Sequence, residues 1–531
     1  MNRILVLINI AFVLISCSGN RRDNGVRVFR YNCENSITSL DPAFASSQDN
    51  NWAVTQLFNG LIQLNNDLEP QPAIAQNWEI SDSGKIYTFH LRQDVIYHHD
   101  NCFGEARTRT VKASDFVFSF SRIMDPETAS PGAWIFNDKV AKEPFQALDD
   151  STLVIRLAKP FAPFIGILSM PYCMVIPPEA VDHYGVDFGE HPIGTGPFRF
   201  EQWERDVALH LNRFDQYFER STIRGNLDAV QIGFVQNRQM ALLKFLQGRF
   251  DMYSGITGAV KDYLFEADGS LRTELRDKVD LEVTPFLNTE YLAMWSDAAE
   301  PSPPFDDVWF RKALAWSIDR EEMLHYLRNG VGRPADGGFI PMGLSGYKPR
   351  QDPFNLDSAR FCLAQSKYHD NPPEIVLNTT RDYTDLCIYA QKQFESIGVK
   401  CRLNIMPSAQ LKEEKRKGKL AFFRASWIMD YPDAENYLSC FYSPNFTPGG
   451  PNYTHFQSDR FDQLYVRSLT ESNDSARTAM YHQMDDLILQ DMPVILLFYD
   501  ESVRLTQKRV EHWENNALNI PILKHVRIKP E

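Results

Sequence analysis

Residues 194–218 constrain the fold of this chain more than any other run in its 531 residues. The run opens Gly194-Thr195-Gly196-Pro197. Two glycines permit the positive φ that other residues resist, and Pro197 fixes its own φ, so a tight, rigid turn is expected. Beyond it Val207, Leu209 and Leu211 alternate with Ala208, His210 and Asn212, the period-two pattern of a strand. By itself this fixes a chain reversal and no function.

The N-terminus sets the compartment. Arg3 precedes an apolar stretch, residues 4–15, broken only by Asn9. A span needs roughly 20 apolar residues, so the stretch reads as the core of a signal peptide covering residues 1–16. It ends Leu14-Ile15-Ser16-Cys17, similar to a bacterial lipobox, in which cleavage precedes a cysteine that carries lipid. Cys17 is therefore the expected lipidation site, with residues 17–26 as a tether that anchors the protein without spanning the membrane.

With 43% hydrophobic residues the chain can build several cores, and its net charge of −14 argues against nucleic acid as a partner. The one basic run, 412–419, is interleaved with Glu413 and Glu414 and reads as a solvated helix face. The seven cysteines besides Cys17 lack C-x-x-C spacing, which disfavours a zinc ribbon or redox pair; disulfides stay open. Strand and helix patterns interleave along the chain. Strands are expected at 26–31 and 84–92, and helices at 51–61, 116–123, 239–246 and 310–318, with Gly248 as a left-handed cap and Asp319 capping a further helix. Pro301-Ser302-Pro303-Pro304 is linker-like punctuation.

Several ordered blocks carry the reading further. Asp41-Pro42, Phe58-Asn59-Gly60-Leu61 and the segment from Pro70 to Trp78 come first. Gly84 to Arg92 and Ala113 to Phe120 follow, separated by a longer-than-usual segment around Cys102. Then come the run at 194–218, Arg311 to Arg320, Gly398-Val399 and Met492 to Tyr499. In this order they resemble the peptide-binding receptors that feed ABC importers, the oligopeptide- and dipeptide-binding family (family 5) of extracellular solute-binding proteins.

The resemblance implies an α/β, two-lobed periplasmic binding protein of type II, peptide-binding cluster, with an extra domain and a hinge between lobes. One lobe would take 27–58, 189–285 and 498–531; the extra domain 59–188; the other lobe 286–497. It implies a monomer on the periplasmic side of the envelope that captures di- to oligopeptides and hands them to permease subunits. No cofactor or metal is implied.

It also assigns site residues. Trp427-Ile428-Met429-Asp430 with Tyr437-Leu438 matches the relatives' Trp-x-x-Asp setting, in which the acid takes the peptide's ammonium. Asp430 inherits that role, against the competing reading of a turn cap. Arg424 matches an arginine that meets the ligand's carboxylate, against the competing reading of an arginine satisfying an internal acid. Tyr383 stands where those receptors carry a histidine, which puts ligand length in doubt. Trp427 would wall a side-chain pocket, against the competing reading of a core residue.

Enzyme motifs are missing: there is no His-Glu-x-x-His, Gly-x-Ser-x-Gly or P-loop. His98-His99 would point to opposite faces of a strand and reads as surface loop. Asp430 with Asp433 could in principle do acid–base work, but no nucleophile accompanies them. The alternatives to a peptide are another solute on the same fold (a nickel complex, haem, glutathione, a sugar) or a surface lipoprotein without a transport role.

Overall fold

The computed structural model describes residues 25–529 apart from 257, 267–268, 298, 301, 329 and 351–353. Cys17, the signal segment and Pro301 lie outside the described residues.

Among the described residues eleven strands form one mixed sheet. Its order is Cys401–Ile405, Ile375–Thr379, Phe422–Ile428, Val279–Met294, Val494–Gln507, Met252–Ser254, Val28–Asn32, Ala229–Gly233, Ala208–Arg213 and Phe198–Glu204, with Arg333–Pro334 beside Val494–Gln507. Two members are unusually long: Val279–Met294 has 16 residues and Val494–Gln507 has 14. At about 3.4 Å per residue each reaches roughly 50 Å, long enough to serve two lobes.

Their antiparallel ladder is interrupted. Val279 to Pro285 pair with Gln507 to Glu501, and Thr289 to Ala293 pair with Tyr499 to Val494, with register shifts between Pro285 and Thr289 and between Glu290 and Tyr291. Pro285 has no amide hydrogen to give the ladder, which weakens it at the slip. Below the slip Val494–Gln507 pairs with Met252–Ser254, which leads to Val28–Asn32; above it Val279–Met294 pairs with Phe422–Ile428. One lobe hangs on each end of the two strands.

The upper lobe is covered on both sheet faces. Phe423 and Ala425 enter one core and Phe422 the other, as strand alternation requires. Residues 59–188 carry a separate antiparallel sheet, Ala75–Ser81, Ile86–Leu91, Thr152–Leu157 and Val140–Ala147, with helix Ala113–Met124 burying Phe116, Phe120 and Ile123. Its core is continuous with that of the N-terminal lobe: Phe29, Phe58, Phe89, Phe164 and Leu211 belong to one cluster.

The helices follow their caps. Ser47 Oγ accepts from Asn50 N at the start of Gln48–Leu57, three residues earlier than the apolar spacing suggests. Arg238–Leu246 ends near Gly248 at φ 73°, and Asp319 accepts from Glu322 N at 2.9 Å. In Ser408–Arg416 Glu413 pairs with Arg416 and Lys417, but Lys415 is half-buried over the Tyr453 ring. The seven cysteines from Cys33 to Cys440 are free thiols. Among the described residues no helix is long and apolar enough to cross a membrane.

The Gly194–Pro197 turn corrects two expectations. Neither Gly194 nor Gly196 has positive φ. Glycine is required by close approach instead: an added Cβ would lie 2.1 Å from the Leu57 oxygen at Gly194 and 2.5 Å from the Gln56 oxygen at Gly196. Gly196 N donates to Leu57 O at 2.8 Å. His98, expected on a surface loop, is buried beneath this turn; its amide donates to Gly194 O at 2.8 Å and its Nε2 to Gly196 O at 3.0 Å. Burial pushes its pKa down to about 4, so the ring is neutral and Nε2 carries the proton. Val207 is exposed just ahead of the strand, which begins at Ala208.

Candidate functional site

The central strand Phe422–Ile428 exits into a short loop and the helical turn Glu435–Leu438. The loop is tied to the slip in the long ladder. Leu287 O, inside that slip, accepts from Met429 N at 3.0 Å and from Tyr437 Oη at 2.6 Å.

Asn436 is buried and organises what the loop presents. Its Oδ1 accepts from Trp427 Nε1 and from Asp430 N, each at 3.1 Å, and its Nδ2 donates to the Asp430 carboxylate at 3.2 Å. Trp427 and Asp430 are therefore held as one unit. Asp430 is exposed to water, yet the protein packed beneath it desolvates the carboxyl group and raises its pKa, with the Asn436 bond opposing. Among the described residues no cation pairs with it. Its neighbour Tyr431 packs into the core of the N-terminal half and lies 6.3 Å from the Trp134 ring, while Pro432 faces Gly166. Asp430 also raises the pKa of Tyr172, behind burial as the larger cause. The acid thus stands where the upper lobe meets the segment that carries Trp134, Gly166 and Tyr172.

Asp433 is structural. It is buried, accepts from Tyr481 Oη at 2.7 Å and Glu435 N at 2.9 Å, and pairs with Arg477 at 3.5 Å. The acid–base pair of Asp430 and Asp433 does not form.

Arg424 and Tyr383 come together on the other face of the strand. The guanidinium carbon lies 3.1 Å from the Tyr383 ring centre, and Nη2 forms an ion pair with the buried Glu290. Burial alone would lower the Arg424 pKa; Glu290 and Tyr383 outweigh it and raise it. Burial pushes the Glu290 carboxyl up while Arg424 pulls it back. Neither Glu290 nor Asn436 was singled out as a site residue from the sequence.

A cavity of about 320 Å³ lies at the crossing strands, lined from both sides by Glu34, Trp52, Arg238, Phe286, Arg328 and Asp500 among others. Its cations are matched: Arg238 pairs with Glu34 at 2.8 Å and Arg328 with Asp500 at 2.5 Å. A larger cavity, about 690 Å³, is walled by Trp309, Trp316 and Phe361 in the upper lobe and contains none of Asp430, Trp427, Arg424 or Tyr383. Neither cavity includes Asp430, whose carboxylate has no cation partner among the described residues.

Comparison with known proteins agrees with this architecture. The chain is 24% identical over 546 residues to the dipeptide-binding protein DppE of Bacillus subtilis, covering 95% of this chain and 94% of that one. It is 24% identical over 484 residues to the glutathione-binding protein GsiB of Salmonella typhimurium, covering 89% of each. The solved structure of DppA from Helicobacter pylori in complex with the peptide STSA superposes with a TM-score of 0.78 at 23% identity, over 95% of this chain and 98% of that one, and establishes the two-lobed fold with its extra domain. The family model "Bacterial extracellular solute-binding proteins, family 5 Middle" matches residues 69–448, and the family is one of solute-binding proteins, not enzymes. With more than half of its length matched, the chain belongs to the family 5 bacterial extracellular solute-binding proteins.

Proposed function

We propose that this protein is the substrate-binding lipoprotein of an ABC importer, anchored through Cys17 on the periplasmic side of the envelope, which captures peptides between its lobes and delivers them to permease subunits as a monomer. The observation that carries the reading is Asp430: a carboxylate at the seam between the upper lobe and the 59–188 region, aligned by Asn436 and without a cation among the described residues. A peptide's terminal ammonium supplies the missing charge. Trp427, held by the same Asn436, walls the first side-chain pocket, and Arg424, stacked on Tyr383, stands earlier on the same strand. Two strands with a slipped ladder supply the hinge between 27–58, 189–285 and 498–531 on one side and 286–497 on the other, and the Leu287 bonds couple it to the ligand loop.

The test is calorimetry on four combinations: Asp430 or Asp430→Asn, each with a free-amine or N-acetylated peptide. Asn keeps the shape and removes the charge, so the free-amine peptide should lose about 3–5 kcal/mol, by analogy with breaking a buried pair. Acetylation should cost the wild type comparably, and the two losses should not add, because both remove one interaction. Full additivity would make Asp430 a turn cap and place the ammonium elsewhere.

A further inference from the structure

The charges around the cleft are unequal in a way that bears on which end of a ligand is read. Arg424 is the cation best placed on the strand that leads to Asp430, and its charge is already answered by Glu290. Glu290 sits diagonally across the ladder, since it faces Ser426 while Leu292 faces Arg424. Both side chains are nearly sealed, 10% and 4% exposed, and their ion pair is direct. The second Glu290 oxygen accepts from Asn288 Nδ2 at 3.0 Å, which holds the carboxylate in place. The face of the guanidinium is covered by Tyr383. Its Nε carries no bond and is buried, so it offers no edge to an entering carboxylate. Arg328 and Arg238 are likewise paired, with Asp500 and Glu34. Lys415 lacks a carboxylate partner among the described residues and lies 4.5 Å from the Tyr453 ring centre. Against these stands Asp430, an acid with no cation partner among the described residues.

We propose that Glu290 sets the specificity of the cleft: by neutralising Arg424 it leaves the ligand's carboxyl end unread. This deepens the peptide reading and rests on it. A ligand is then anchored by its ammonium at Asp430, and peptides with a free, amidated or extended C-terminus bind alike. The chemistry is that of charge matching. A second carboxylate brought to an arginine already paired with Glu290 must lose its hydration and meets a site with no charge left to offer.

The test is a competition read by native mass spectrometry. The full-length protein is offered an equimolar mixture of random tetrapeptides with free C-termini and the same library C-terminally amidated. The wild type should retain the two forms within about threefold of each other. Glu290→Gln frees Arg424 and should shift retention toward free acids by about tenfold or more. Because Glu290→Gln leaves a buried cation and could impair folding, the double variant Glu290→Gln/Arg424→Gln removes both charges and should keep the wild-type ratio. A wild-type preference for free acids of tenfold or more, whether removed by Arg424→Gln or by Lys415→Ala, overturns the proposal. So does an unchanged ratio in folded Glu290→Gln. Retention of neither library sinks the peptide reading itself, and this inference with it; retention of free acids alone sinks only the inference.

Discussion

Asp430 is a group whose surroundings work against its charge until a ligand arrives. Desolvation raises its carboxyl pKa in the free protein, and an ammonium beside it would lower that pKa in the complex. Protons and ligand therefore compete. Affinity should fall as the pH drops through the pKa of Asp430, which its surroundings raise above the ordinary aspartate value. It should fall again above about pH 8, where a peptide amine loses its proton. Calorimetric titration across that range should give a bell, and Asp430→Asn should flatten its acid limb; an acid limb that survives the substitution would assign the titration to another group. At this scale the sequence was legible only in part. Trp427 and Asp430 lie within one short run and could be picked out together, but the Asn436 that holds them both could not. Glu290 is 134 residues from Arg424 and meets it only because two strands pair, which no local pattern announces.

Among elements, the Gly194–Pro197 turn shows how a right expectation can have the wrong cause. The turn exists, but its glycines are needed because the backbone passes against the carbonyls of Leu57 and Gln56, the end of a helix far away in the chain. Gly196→Ala should therefore destabilise by about 2–3 kcal/mol, the scale of forced overpacking, although alanine suits its φ. Gly60→Ala, whose added methyl meets nothing closer than 3.4 Å, is the control and should cost less. Urea denaturation of both variants checks this; equal losses would return the glycine requirement to conformational freedom. His98 belongs to the same lesson. Adjacent histidines in a loop look solvent-facing, and only the packed turn above His98 makes it a buried donor.

For the whole molecule, the contacts of Tyr431 and Pro432 with Trp134 and Gly166 join the upper lobe to the 59–188 domain. Leu469 O accepts from Ala162 N at 2.8 Å in the same seam. If ligand draws these surfaces together, saturating peptide should reduce the radius of gyration in X-ray scattering and raise Tm, since a ligand bound only to the native state stabilises it. Gly166→Leu should oppose closure. A Cβ at Gly166 would just touch Pro432 at 3.4 Å, and a larger side chain has no room. That variant should fold, bind at least about tenfold more weakly and show no compaction. Wild-type affinity in Gly166→Leu would mean that binding does not bring this seam together.

The sequence by itself determined the α/β class, the helices and strands with the clearest apolar period, and the run that carries Trp427 and Asp430, because each of these is written in neighbours: apolar period, caps and turn residues act over a few positions. Only the tertiary structure decided why Gly194 and Gly196 are glycine, where His98 lies, that Asn436 aligns the acid, and that Arg424 is answered by Glu290. Those outcomes depend on which distant strands and helix ends are brought within bonding distance. Burial then sets the strength of each charge, and burial is a property of the packed chain.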